Sequence, residues 1–246
     1  KIAVNDGKAI KNDLIYGSVS GKKVDEDGNA LGGAMIGLFR TDDGEFTKEN
    51  ALMTTTSAED GSFSFENIPC GTWYVREIEQ PTGFVLDDTI YPVTIGTDGQ
   101  VVEIEIVNEY GRGNIHLTKV DSEYPDNKLT GAIFEVYKDS NNNGKLDDSD
   151  ELLGTLTEKE IGEYGMNDLF YGRYFIKETE APDGFVLDTD VYEVVIDTDG
   201  KTYDVENKAG VGFINEVMRG NLKIVKTSSD GKVKGFAFRI TGANGY

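Results

Sequence analysis

The chain has 246 residues, with Lys+Arg 24 against Asp+Glu 45 and a formal net charge of −21. A field of that sign repels nucleic-acid phosphates and anionic lipid, and no apolar run approaches the roughly 20 residues of a membrane span, so neither nucleic acid nor membrane insertion is expected. One cysteine, Cys70, and one histidine, His116, exclude an intrachain disulfide, a zinc cluster and a histidine-based triad.

Nearly everywhere along the chain the apolar residues recur with period two, the signature of strands, and no amphipathic helix of about ten residues or more is visible. Phe63 and Phe65 alternate with Ser62 and Ser64; Val102, Ile104 and Ile106 alternate with Glu103 and Glu105. Asp98-Gly99, Asp199-Gly200 and Asp230-Gly231 mark turns between such runs. Short antiparallel strands at this spacing predict an all-β chain of Greek-key β-sandwiches.

Residues 61–100 match 162–201 without a gap, so one folding unit is used at least twice. The opening strands also align, Ser18–Asp25 with Asn114–Asp121, and Asn221–Lys226 with both. These alignments predict four segments: 1–16 as the last strand of an upstream unit, 17–110 as a first unit, 111–217 as a second, and 218–246 as the start of a third with about two strands.

Strand parity places charge where a core should have none. Lys23 shares a face with Val19 and Gly21, Glu77 with Trp73 and Val75, and Asn108 with Ile104 and Ile106. In the second unit Lys119 goes with Ile115 and Leu117, Glu178 with Tyr174 and Ile176, and Asn215 with Val211 and Phe213. Isolated buried charges cost several kcal/mol each, so each Lys, Glu and Asn must meet and neutralise one another. Asn108 precedes Lys119 by the same interval that separates Asn215 from Lys226 and Asn12 from Lys23, which makes Asn12 the expected closing residue of the upstream unit. Asn207 is a rival to Asn215 by its alternation with Tyr203 and Val205, and the interval favours Asn215. Lys22 is a weaker rival to Lys23, because its parity goes with Ser18 and Ser20.

Lys-x-Asp on the first strand, Glu-x-x-x-Pro-x-Gly-Phe in the middle and a closing Asn-Glu resemble collagen-adhesin B-type domains and the SpaA-type pilin and surface-protein repeats of Gram-positive bacteria. The match covers both units; Glu178–Phe185 fits the middle motif closely and Glu77–Phe84 more loosely. The resemblance implies tandem transthyretin-like sandwiches on a cell-wall-anchored extracellular protein. It also implies an intramolecular isopeptide bond between Lys23 and Asn108 assisted by Glu77, and another between Lys119 and Asn215 assisted by Glu178. Burial supports that chemistry, since it favours a neutral lysine amine and a protonated glutamate. Lys226 has neither partner in the chain and is expected to be unbonded. Expected partners are neighbouring repeats of the same chain. The alternative reading is an adhesin module that recognises a host protein or glycan.

Asp139-x-Asn141-x-Asn143-Gly144-Lys145-x-Asp147-x-x-Asp150 has the ligand spacing of a calcium loop, with Lys145 contributing its carbonyl and Glu151 able to assist Asp150. Calcium is therefore the one expected cofactor. Parity turns His116 and the aromatics Tyr74 and Phe175 toward solvent, and Cys70 lies in a Pro-Cys-Gly turn on the surface.

Overall fold

The structure is a computed structural model describing residues 13–240; the expected closing residue Asn12 lies outside them. The first half of the chain runs through β1 (Tyr16–Asp25), β2 (Met35–Phe39), β3 (Met53–Thr56), β4 (Ser62–Pro69), β5 (Gly71–Glu79), β6 (Tyr91–Ile95) and β7 (Gln100–Asn108). Two sheets result, ordered β4-β1-β7 and β3-β2-β5-β6. Their inward residues, among them Val19, Phe65, Trp73, Val75, Ile95 and Ile106, form one core.

The second half repeats the plan with β8 (Arg112–Asp121), β9 (Ile133–Lys138), β10 (Glu151–Thr155), β11 (Thr157–Glu160), β12 (Glu163–Phe170), β13 (Gly172–Glu180), β14 (Val191–Ile196), β15 (Thr202–Asp204) and β16 (Phe213–Asn215). One sheet is β11-β12-β8-β15, with β16 also on β8; the other is β10-β9-β13-β14. Ile115, Leu117, Phe134, Tyr164, Tyr174 and Phe213 belong to a second core. The chain is thus an all-β pair of sandwiches in tandem.

The sheets are not purely antiparallel. β1 pairs with β7 in parallel, and β8 pairs in parallel with both β15 and β16. A crossover is needed for parallel neighbours, and here the whole intervening unit supplies it. First and last strands therefore lie side by side, the feature that builds the site.

The path of each lysine strand is fixed from behind by a glycine. Gly61 (φ 77°) and Gly162 (φ 71°) are in the left-handed region, where they accept from the Lys23 and Lys119 N–H groups at 2.7 Å. A Cβ at Gly61 would lie 2.3 Å from the Lys23 carbonyl oxygen, so no other residue fits there.

The units join through Tyr110 and Arg112. The Tyr110 ring stacks on Phe84 at 4.8 Å and meets Phe170 of the second unit edge-on at 5.3 Å, while its hydroxyl donates to Asp25 at 2.7 Å. Arg112 bonds Glu26 and lies over the Phe170 ring at 5.0 Å. At the far end of the second unit Arg219 bonds Glu123 in the same manner.

Two expectations meet a different outcome. Among residues 218–240 no strand forms and the chain is exposed, because the Asn221–Lys226 pattern has no neighbouring ladder among the described residues to complete it. The Lys226 ammonium rests 4.4 Å over the Phe236 ring. Phe175, assigned by parity to the solvent face, is buried at 3% exposure: β9 and β14 flank its strand, and Tyr137 and Glu193 stand opposite it.

Candidate functional site

Lys23 and Asn108 come from neighbouring strands of one sheet, and Glu77 faces them from β5 in the other. All three are buried, with exposures of 0%, 1% and 1%; their counterparts Lys119, Glu178 and Asn215 are at 0%, 0% and 2%. Almost none of their surface reaches water, so they satisfy one another.

Lys23 Nζ donates to Asn108 Oδ1 and lies 3.8 Å from Glu77 Oε1. The Asn108 amide nitrogen donates to both Glu77 oxygens, at 2.9 and 3.1 Å, and to the Val85 carbonyl at 2.9 Å. In the second unit Lys119 Nζ donates to Asn215 Oδ1 and to the Phe213 carbonyl at 3.1 Å, again 3.8 Å from the glutamate, Glu178. Asn215 Nδ2 donates to both Glu178 oxygens at 2.9 and 3.0 Å. In each unit the lysine therefore faces the carbonyl end of the carboxamide and the glutamate its nitrogen end.

Burial shifts both ionisable groups toward neutrality. It lowers the Lys23 pKa, partly opposed by the Glu77 charge, and brings Lys119 down to about 8. It raises Glu77 and Glu178 above the ordinary carboxylate value, against hydrogen bonds that favour the anion. A neutral amine beside a carboxamide, with a proton-holding carboxyl on the amide nitrogen, is the arrangement that acyl transfer from nitrogen to nitrogen requires.

A family model for the SpaA prealbumin-like fold domain matches the chain twice, over residues 17–110 and 113–209. The chain belongs to this family. Among curated proteins this SpaA-type chain is similar to serine-aspartate repeat-containing protein D of Staphylococcus aureus (strain Newman), with 29% identity over 154 residues. That match covers 54% of this chain and 11% of the relative, so the chain spans a small part of its length. Among solved structures it is similar to the Bacillus anthracis TIE protein, with TM-score 0.66 and 26% identity over 82% of this chain and 34% of that one. A likeness to the minor pilin of Streptococcus agalactiae has TM-score 0.36 and 18% identity, over 85% of this chain and 99% of that one.

The rival site residues of this SpaA-type chain are engaged elsewhere. Asn207 donates to Asp188 and to the Ile214 carbonyl, both at 2.8 Å, and accepts from the Ile214 N–H at 2.7 Å, which ties the segment after β15 to β16. Lys22 is exposed. The space that Gly21 leaves beside the first site is filled by the Phe63 ring; Leu117 and Tyr164 occupy the equivalent places in the second unit.

Two residues that parity did not single out complete each site. The Asp87 N–H donates to Glu77 Oε2 at 2.8 Å, and the Asp188 N–H to Glu178 Oε2 at 2.8 Å. Tyr91 and Tyr192 donate their hydroxyls to Asp87 and Asp188, each at 2.6 Å. The signal was present in the ungapped repeat, where Gly83–Asp87 and Gly184–Asp188 are identical.

The loop expected to hold calcium closes on its own hydrogen bonds. Asp139 is buried, accepts from the Asn143 and Gly144 N–H groups at 3.1 and 3.0 Å, and faces Arg173 Nε at 3.4 Å. Asn141 and Asn143 turn amide nitrogens toward Asp147, Asp150 accepts from the Ser140 and Asp147 N–H groups, and the Lys145 N–H donates to Asn143. Among the described residues no three acidic, histidine or cysteine side chains converge as a cation site.

His116 is only half exposed, with Nδ1 2.7 Å from Asp204 and Nε2 2.7 Å from Glu163, so it braces β12, β8 and β15. Cys70 is exposed, as expected. No helix among the described residues is long and apolar enough to cross a membrane.

Proposed function

We propose that this chain is a stalk segment of a Gram-positive cell-surface protein, outside the cell, stiffened by autocatalytic bonds from Lys23 to Asn108 and from Lys119 to Asn215. The observation that carries the reading is the repetition of one buried Lys–Glu–Asn set, at the same place between first and last strands, in both units. The chemistry is a single intramolecular turnover with no external substrate. In each unit Nζ passes a proton to the glutamate and the freed lone pair bonds to the asparagine Cγ. The glutamate returns that proton to Nδ2, the Cγ–Nδ2 bond breaks, and ammonia departs. A second Nζ proton moves to the carboxylate. The contact of both glutamate oxygens with Nδ2 supports a role as acid to the leaving nitrogen rather than to the carbonyl oxygen.

The mechanical consequence follows from the parallel pairing. Tension enters at the start of β1 and leaves at the end of β7, so it shears a ladder that a bond between residues 85 positions apart would lock. The corresponding separation in the second unit is 96. By analogy with a disulfide, closing loops of that size contributes about 4–5 kcal/mol if chain entropy dominates. The test is a digest of the denatured protein: branched peptides joining Lys23 to Asn108 and Lys119 to Asn215 support the reading, and only linear peptides overturn it.

A divalent cation in the 139–150 loop is a separate proposal with a structural condition. It would have to take Asp139 from Arg173 and release the Asn141 and Asn143 amide nitrogens from Asp147, so that the amide oxygens and the Asp147 carboxylate could converge on the ion. Calorimetric titration with calcium, on the wild type and on Asp139→Asn, decides it: heat of binding lost in the variant supports the site.

A further inference from the structure

We infer that Asp87 and Asp188 are positioning residues for the crosslinking step, each clamped by the tyrosine four residues on; the inference rests on the crosslinking reading above. Three contacts define the device, and all three recur. The aspartate N–H holds one glutamate oxygen at 2.8 Å in both units. The aspartate carboxylate accepts from the tyrosine hydroxyl at 2.6 Å in both. Its other oxygen caps the next turn, from the Thr89 N–H at 3.0 Å and the Asp190 N–H at 2.9 Å.

The N–H contact decides where the glutamate points. With Oε2 tied to the Asp87 backbone, Glu77 keeps Oε1 toward Lys23 and both oxygens on the amide nitrogen. The same loop carries the Val85 carbonyl, which takes the second hydrogen of Asn108 Nδ2. One half-buried loop therefore orients the acid and, in the first unit, the leaving group. In the second unit Asn207 adds a further bond to the clamp, at 2.8 Å to Asp188.

The carboxylate also acts through charge. The charged group that faces the Lys23–Glu77 pair is Asp87, with Tyr91 bonded to it; the one that faces Lys119–Glu178 is Asp188, with Tyr192 bonded to it. The aspartate charge holds the lysine and the glutamate each to a higher pKa than they would otherwise have. The step needs one proton shared between lysine and glutamate, so its rate falls when the pair holds two protons or none. Removing the aspartate charge lowers both limits together. A loop that served only to brace the fold would not move them.

The experiment uses the whole chain, collected unreacted in denaturant and diluted into buffers across a range of pH. Timed samples are quenched in denaturant and read by intact mass, with a digest to assign each bond. For Asp188→Asn we expect the second bond to form about tenfold more slowly, with both limbs of its pH profile displaced to lower pH. The first bond, with Asp87 intact, serves as the internal control. Tyr192→Phe keeps the charge and should slow closure with the limbs unmoved. Asp87→Asn repeats the test in the first unit and stands in if Asp188→Asn does not fold. Wild-type rate and profile in the Asn variants would overturn the inference, as would a slower rate with unmoved limbs. A wild-type chain that never loses ammonia would instead overturn the crosslinking reading itself.

Discussion

Lys23 stands opposite Ile106 on the parallel neighbour β7, and its amine reaches diagonally to Asn108, two residues further along. Lys119, opposite Phe213, makes the same diagonal to Asn215. A directly opposed asparagine would stand beside the lysine; the diagonal leaves the long lysine side chain extended along the strand with its tip at the carboxamide.

That geometry ties closure to pH. The Lys119–Glu178 pair must hold one proton. Lys119, brought down to about 8 by burial, sheds its proton as pH rises through that value, which sets the alkaline limb for the second bond. Glu178, raised by burial, takes up an additional proton above the ordinary carboxylate range, which sets the acid limb. Timed quenching of refolding chain should give a bell-shaped rate for this bond. A rate that climbs without limit above the Lys119 pKa would contradict the proton-sharing step.

Loss of a bond should be visible as stability. If the proposed bond forms, Asn215→Ala removes it and should cost at least about 4 kcal/mol, with a fall in the melting temperature of the second unit on the order of 20 °C. The first unit should melt as before. Differential scanning calorimetry resolves the two, and an unchanged second transition would mean that no bond was lost.

Gly21→Ala probes the packing beside the first amine. A Cβ there would lie 1.9–2.3 Å from atoms of the Phe63 ring, so the ring must move. Overpacking of this kind costs about 1–3 kcal/mol, confined to the first unit. Calorimetry should place the loss in that transition alone.

The joint between units should depend on Arg112. Its ion pair with Glu26 is screened by solvent, so Arg112→Ala should leave both melting transitions nearly in place. What it removes is the bridge from Glu26 to Phe170. Distances between spin labels on the two units should broaden in the variant; an unchanged distribution would leave the joint to Tyr110.

Much of this was legible in the sequence for a physical reason. Strand parity is strict, so a lysine in step with Val19 has to point inward, and the ungapped repeat gave each site a second reading. Parity failed at Phe175, because it assigns a face and not whether neighbouring strands cover that face. It also could not reveal that first and last strands run parallel, a property of chain connectivity rather than of any one strand. Asp87 and Asp188 escaped because their decisive contact is a backbone N–H in an irregular loop, where alternation carries no information. In the 139–150 loop the acidic spacing is visible in the sequence, whereas the meeting of Asp139 with Arg173, 34 positions further on and carried by the paired strand β13, is not.

The most direct test of the central claim is intact mass under denaturing conditions, for the wild type and for Glu77→Ala and Glu178→Ala. The account predicts a wild type lighter than its sequence by two ammonia molecules, with one of them restored in each variant. A wild type at its full sequence mass would contradict it, and the buried Lys–Glu–Asn sets would then be polar clusters without a covalent bond.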